Sequence, residues 1–74
     1  MKANILDLRR ERCPMALLLA KRESKSLKTG SKLSIYVQDA ASLQDMLRYF
    51  QQQALNVELH SEPEFSIISL SHKE

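Results

Sequence analysis

The sequence predicts a two-layer α/β sandwich with the element order βαβαββ, in which two helices cover one face of a four-stranded mixed sheet. Three observations lead to this prediction. Residues 32–38 alternate apolar and polar side chains, as strands do. Residues 43–54 repeat apolar side chains at helical spacing. Gly30, the only glycine, separates an earlier helical stretch from the alternating segment.

The first half of the chain predicts a strand, a helix and a second strand. Residues 4–8 form a short apolar run typical of a strand, and residues 14–29 favour a helix. The inward side chains of that helix are expected to be Leu17, Ala20, Ser24 and Leu27. Gly30 then occupies the position where a left-handed residue ends many helices. If its flanking strands are parallel, this crossover is right-handed.

The second strand and second helix are the most regular segments. In residues 32–38 the apolar side chains of one face are Leu33, Ile35 and Val37. Either Asp39 or Ser42 can cap the helix that follows. Its inward side chains are predicted to be Leu43, Met46, Leu47, Phe50 and Ala54.

Two further strands complete the predicted sheet. Leu55, Val57 and Leu59 alternate as a third strand, and residues 61–64 contain a turn with Pro63. Residues 65–70 form the fourth strand. The last three residues, beginning with His72, are expected to be a frayed polar end.

Composition excludes several classes of protein. A chain of 74 residues predicts a single domain over residues 1–74. No stretch is long and apolar enough to span a membrane, and one cysteine without a signal sequence favours the cytoplasm over a disulfide-forming compartment. A net charge of +2 is too balanced to favour direct nucleic-acid binding, which is not predicted. Two histidines and one cysteine offer no metal-ligand spacing, no Gly-rich phosphate loop is present, and no cofactor is predicted.

Cys13 is the residue whose position in the sequence most clearly indicates a chemical role. Pro14 follows it, and proline favours the first position of a helix because its missing N–H would have no partner there. The Cys13 sulfur would then lie at a helix N-terminus, where backbone N–H groups and the helix dipole favour a thiolate. Neighbouring arginines add positive charge, whereas Glu11 opposes it. A buried cysteine that only fills space is the alternative.

The order of these motifs resembles the TusA family of small sulfur-carrier proteins, also called SirA-like. The matching residues are the motif Leu6-Asp7-Leu8-Arg9, then Arg12-Cys13-Pro14-Met15, Leu17-Leu18, Lys21-Arg22, Asp39 and Asp45. The resemblance extends over essentially the whole chain and implies the same βαβαββ fold. It also implies that Cys13 accepts sulfane sulfur as a persulfide, and that Pro14 supports the helix behind it.

The resemblance implies a protein relay and no cofactor. A cysteine desulfurase or rhodanese-like protein would donate the sulfur, and a downstream protein would accept it, in a route such as tRNA thiolation. Such a carrier needs an accessible sulfur and a docking surface. Candidate contacts for an acidic partner are Arg9, Arg10, Arg12, Lys21 and Arg22; ordinary solvated charge is the alternative for each.

The chain departs from the family pattern at several positions. The second proline of the Cys-Pro-x-Pro motif is Ala16, which is a good helix former, so the helix should persist. Arg10-Glu11 replaces a Gly-Leu-like pair, Ala40 replaces the proline after Asp39, and Ala54 replaces a glycine. These differences indicate a divergent member.

Two other functions compete with the carrier. A non-catalytic module of the same fold could bind RNA or protein, with the basic side of the first helix on phosphates and with Tyr36 and Tyr49 as stacking residues. A self-sufficient enzyme is less favoured, because no general base accompanies Cys13. Whether the protein acts as a sulfurtransferase in its own right stays open.

Overall fold

The computed structural model describes residues 3–12, 15–28 and 30–72. Six elements follow one another in the predicted order βαβαββ, and together they make the predicted two-layer sandwich. They are β1 (Ala3–Asp7), α1 (Met15–Lys25), β2 (Lys32–Val37), α2 (Ala40–Gln51), β3 (Leu55–Ser61) and β4 (Ser66–His72).

The sheet has the strand order β1-β2-β4-β3 and is mixed, as predicted. β1 pairs parallel with β2, whereas β4 pairs antiparallel with both β2 and β3. A parallel pair needs a crossover connection, and α1 provides it. The handedness of that crossover stays a prediction.

One face of the sheet forms the core. Leu33 pairs with Leu70 and Ile35 pairs with Ile68, and all four side chains are buried. The two helices and the turn after α1 add further core side chains, which include Ala16, Ala20, Leu27, Met46 and Phe50. Neither of the two described helices covers the opposite face of the sheet, and we call it the open face. Its side chains on β2 and β4 include Ser34, Tyr36, Ile67 and Ser69.

Helix α1 ends earlier than its sequence predicts. The prediction extended it to residue 29, but it ends at Lys25 and Thr29 lies outside the described residues. The backbone N–H of Leu27 donates to the Ser24 carbonyl, a three-residue spacing that tightens the last turn. Ala16 is fully buried, whereas Leu17 and Ser24 are only partly so, so the inward face is rotated from the predicted stripe.

Asp39 caps α2, which settles the choice between the two predicted caps. Its side chain accepts hydrogen bonds from the Ser42 N–H at 3.0 Å and from the Ser42 hydroxyl at 2.7 Å. Met46 and Phe50 are buried as predicted. Ala54 was predicted to line the inner face, but it is exposed, because α2 ends at Gln51 in a tight turn.

The last strand extends further than its sequence predicts. His72 was assigned to a frayed end, yet it is the final residue of β4, and Lys73 and Glu74 lie outside the described residues. The His72 Nε2–H donates to the carbonyl oxygen of Leu27, so the end of β4 is bound to the chain after α1. At the outer edge of the sheet, Leu59 is 45% exposed although it pairs with buried Ile68.

Gly30 has a backbone conformation that other residues resist. Its φ is +87°, in the left-handed region, as predicted. The predicted place directly after the helix is wrong, because α1 already ends at Lys25. A Cβ added here would contact nothing within 4 Å, so the cost of a side chain comes from the backbone alone.

Gly30→Ala is therefore expected to lower the free energy of unfolding by about 1 kcal/mol, measured by urea denaturation. Gly30→Asn should cost less, because asparagine tolerates the left-handed conformation better than alanine. Equal stability of the alanine variant and the unsubstituted protein would contradict this account.

Candidate functional site

The loop between β1 and α1 forms the candidate site. The Leu8 N–H donates to the Tyr36 carbonyl at 2.8 Å, so the loop leaves the sheet with one more bond to β2. The Glu11 N–H then donates to the Leu8 carbonyl at 3.0 Å and closes a turn. At its far end, the Arg12 carbonyl accepts from the Ala16 N–H at 2.9 Å, the first bond of helical spacing at α1.

Cys13 and Pro14 lie outside the described residues. The prediction that Cys13 is a persulfide carrier at a helix N-terminus, with Pro14 supporting the helix, therefore stays a prediction. The described residues on either side are Arg12, which ends the loop, and Met15, which begins α1. α1 contains Ala16, so the helix persists with alanine at the position of the second proline.

The loop needs no glycine along its described length. Arg10 and Glu11 replace the family's Gly-Leu-like pair, and no non-glycine residue among those described has a positive φ. Both side chains therefore occupy ordinary backbone conformations. The departure from the family pattern changes the charge of the loop without straining these residues.

Arg9 has its guanidinium bound within the protein. Its Nε and Nη2 donate to the two carboxylate oxygens of Asp7 at 2.9 Å and 2.8 Å, and its backbone N–H donates to the same carboxylate at 3.1 Å. The guanidinium carbon also lies 5.6 Å from the centre of the Tyr36 ring and 5.0 Å from that of Phe65. We call these four residues the Arg9 clamp.

The hydrogen bonds from Arg9 hold the pKa of the Asp7 carboxyl at about 2, below its ordinary value of 3.8. The largest cause is the side-chain hydrogen bond, and the backbone N–H of Arg9 adds to it. The same bond raises the pKa of Arg9. Asp7 thus remains ionised, and its pair with Arg9 persists, throughout the neutral range.

The other four predicted contact residues differ in whether their side chains already interact with another part of the protein. The Lys21 Nζ lies 4.6 Å from the centre of the Tyr49 ring, which links α1 to α2. Arg10, Arg12 and Arg22 are exposed, and none of them forms an ion pair with an acidic side chain in the described ranges. Three of the five candidate cations are therefore available to a partner.

The tyrosines considered as RNA-stacking residues both have a cation over the ring. Arg9 covers Tyr36 on the open face, and Lys21 covers Tyr49 at the helices. A nucleobase would have to displace either cation before it could stack on the ring beneath. This arrangement gives the RNA-binding alternative no open stacking platform at these two residues.

Two open clefts adjoin the loop where β1 and β2 end. The larger has a volume of about 600 Å³ and the smaller about 520 Å³, and Arg9, Arg10, Glu11 and Gln38 line both. Asp7, Glu64 and Phe65 complete the larger cleft, whereas Arg12 and Asp39 complete the smaller. Their walls mix acids and bases. Among the described residues, no three His, Cys, Asp or Glu side chains are grouped as metal ligands.

The outer side of α1 has an exposed row that the sequence analysis did not identify. Met15 and Leu18 are 49% and 54% exposed, and Arg22 and Lys25 continue the row at helical spacing. We call these four residues the α1 ridge. The spacing i, i+3, i+7, i+10 of these residues is present in the sequence, but the ridge is apparent only once the structure shows that Ala16 faces the core.

A comparison with protein families now identifies the chain. The family profile described as "Sulfurtransferase TusA" matches residues 4–70, almost the whole chain. The chain belongs to the TusA family. The resemblance noted from the motifs around Cys13 is thus confirmed at the level of the family.

One curated relative within the TusA family adds to this result. The protein named "Sulfur carrier protein TusA" from Buchnera aphidicola subsp. Baizongia pistaciae (strain Bp) is 33% identical over 46 residues. The match covers 62% of this chain and 58% of the relative, so the chain spans little more than half of the length of that protein. No solved structure matches the chain significantly. None of the described helices has the length and apolar character needed to cross a membrane.

The ion pair of Asp7 predicts a defined loss of stability in acid. A carboxyl whose pKa is lower in the folded than in the unfolded protein stabilises the fold above the unfolded value, and this contribution disappears as pH falls from about 4 to about 2. In Asp7→Asn, the destabilisation relative to the unsubstituted protein should therefore be largest at neutral pH and shrink across that interval.

Urea denaturation at neutral pH and near pH 3 measures this difference. Glu62→Gln, at an exposed position in the β3–β4 turn, is the control variant. If Asp7→Asn is equally destabilising at both pH values, the Asp7–Arg9 pair does not contribute in the way described.

Proposed function

We propose that this protein is a sulfur carrier that holds sulfane sulfur as a persulfide on Cys13 and passes it to an acceptor protein. Membership of the TusA family over residues 4–70 is the observation that supports it most strongly. The name of the Buchnera relative, a sulfur carrier protein, agrees with it. As the only cysteine, Cys13 is the only thiol available for this chemistry.

The proposed transfer balances without an external oxidant. The Cys13 thiolate attacks the outer sulfur of a donor persulfide, so a new S–S bond forms on Cys13 while the donor's S–S bond breaks and releases a thiolate. An acceptor thiolate then attacks the outer sulfur on Cys13 in the same way. Cys13 returns to a thiolate, and the carrier is ready for another cycle.

Positive charge next to Cys13 supports this chemistry. Arg12 precedes Cys13 directly and Arg10 lies in the same loop; both are exposed, and neither forms an ion pair with a described acidic side chain. Cations close to a thiol favour the thiolate, which is the reactive form. A persulfide anion on the same residue benefits from the same charges.

Cys13→Ser provides the direct test of the carrier function. After incubation with a cysteine desulfurase and cysteine, intact-mass spectrometry of the unsubstituted protein should show a gain of about 32 Da, one sulfur atom, which a reducing agent removes. The serine variant should show no gain, and circular dichroism confirms that it folds. A chain that gains no sulfur from either a desulfurase or a rhodanese-like donor is not a carrier.

The α1 ridge supports docking of an acidic donor protein. Two exposed apolar side chains, Met15 and Leu18, lie on the first turns of α1, and the cations Arg22 and Lys25 extend the row. A partner with an apolar patch bordered by carboxylates complements this row in shape and charge. Because Cys13 precedes α1 by only two residues, docking here would bring the donor persulfide near the thiol. A reducing cytoplasm is the compartment proposed for this exchange.

Leu18→Ala and Arg22→Glu test the docking surface. Each is expected to slow sulfur loading from the donor by roughly tenfold at limiting donor concentration, because each removes a central contact of the interface. Lys32→Glu, an equal charge reversal at an exposed residue of β2, is the control and should change loading little. Alkylation of Cys13 by iodoacetamide should be unchanged in all three. Equal loading by Arg22→Glu and Lys32→Glu would contradict docking on the ridge.

A further inference from the structure

The Arg9 clamp joins three separate parts of the chain. Asp7 is the last residue of β1 and pairs in register with Tyr36 of β2. Phe65 directly precedes β4, and its ring centre lies 5.3 Å from that of Tyr36. Arg9 spans all three from the first turn of the loop, which it thereby fastens to the open face of the sheet.

The neighbouring arginines differ from Arg9 in this respect. Arg9 forms three hydrogen bonds with Asp7 and stacks on two rings. All three arginines are exposed, but Arg10 and Arg12 form no ion pair with a described acidic side chain. A partner could bind either of these at little cost, but it could recruit Arg9 only by replacing an ion pair of bidentate geometry.

We infer that Arg9 is a positioning residue that fixes the loop leading to Cys13, and that it is not a docking contact for the partner protein. This inference rests on the proposed function, because it concerns the thiol that the carrier uses. Arg9 thus has a different role from Arg10 and Arg12, although all three were predicted as partner contacts.

The loop geometry explains how a residue four positions away can affect Cys13. The turn from Leu8 to Glu11 is held at one end by the bond to Tyr36, and the Arg12 carbonyl is held at the other end by Ala16. Between Leu8 and Arg12 the loop contains no glycine and no proline. The clamp restricts the first turn of the loop, so the described part of the loop reaches Arg12 along one path.

The clamp depends on the shape of the guanidinium as well as on its charge. A guanidinium offers two parallel N–H groups to a carboxylate and a flat face to aromatic rings. A lysine ammonium keeps the charge but provides neither the bidentate fork nor the flat face. Arg9→Lys therefore separates a positioning role from a purely electrostatic one.

The test measures the rate at which iodoacetamide alkylates Cys13 as a function of pH, with no sulfur donor present. Arg9→Ala and Arg9→Lys should both slow alkylation at neutral pH by about threefold and move the pH midpoint upward, because a loosened loop holds the thiolate less well. Arg48→Ala and Arg48→Lys, at an exposed arginine of α2, are the matched controls and should change the rate by less than about 1.5-fold. Arg10→Ala removes one charge of the loop but no residue of the clamp, so it should slow alkylation less than Arg9→Ala does. Phe65→Leu, which removes one stacked ring and no charge, should give an intermediate rate.

Two results would overturn the inference. If Arg9→Lys reacts like the unsubstituted protein, or if Arg9→Ala and Arg10→Ala are equally slow, charge alone explains the effect. Circular dichroism and urea denaturation of each variant show whether the measured chain is folded at the assay temperature. The rates are compared among folded variants, and Phe65→Leu preserves the test if Arg9→Ala does not fold.

Sulfur loading then distinguishes positioning from docking. A positioning role predicts a lower maximal loading rate for Arg9→Lys with an unchanged half-saturating concentration of the donor. A raised half-saturating concentration with an unchanged maximal rate would instead make Arg9 a docking contact and refute the inference. Failure of the proposed function is recognised separately, as the absence of sulfur gain by the unsubstituted protein in an experiment that does not depend on Arg9.

Discussion

The parallel pairing of β1 with β2 is the constraint on which the rest of this structure depends. Two adjacent parallel strands cannot be joined by a hairpin, so the chain must cross over, and α1 makes that crossing on the apolar side of the sheet. The crossing places Ala16 and Ala20 against the core and leaves Met15 and Leu18 outside. It also places the loop before α1 at the edge of the sheet where parallel strands end, a common location for chemistry in α/β folds.

Sequence patterns predicted the helices and strands whose apolar side chains repeat regularly. They failed where contacts between distant residues determine where an element ends. The alternation in residues 32–38 and the helical repeat of α2 depend on one-sided burial, which the chain displays directly. The early end of α1 depends on Ser24 and the tight turn after it, and the inclusion of His72 in β4 depends on a carbonyl 45 residues away in sequence. Neither cause produces a periodic signal.

At the candidate site, too, some features could be predicted from the sequence and others only from the fold. The Cys13-Pro14 motif and its cations were visible in the sequence, and the family is shown to be the one that they indicated. All five cations were predicted as partner contacts, because the sequence does not reveal which of them already bind other residues of the same protein. Arg9 follows Asp7 by only two residues, and opposite charges this close in sequence are a signal that could have predicted their pairing. The aromatic rings beneath Arg9 come from distant positions, so only the fold could reveal them.

The position of β4 has a consequence for how the chain acquires its structure. β4 is the last of these four strands to be synthesised, yet it lies between β2 and β3 in the sheet. Until residues 66–72 have left the ribosome, β2 lacks its antiparallel neighbour, β3 has no strand to pair with, and Ile68 and Leu70 are missing from the core. The sheet therefore assembles late and cooperatively, through contacts between segments far apart in the chain.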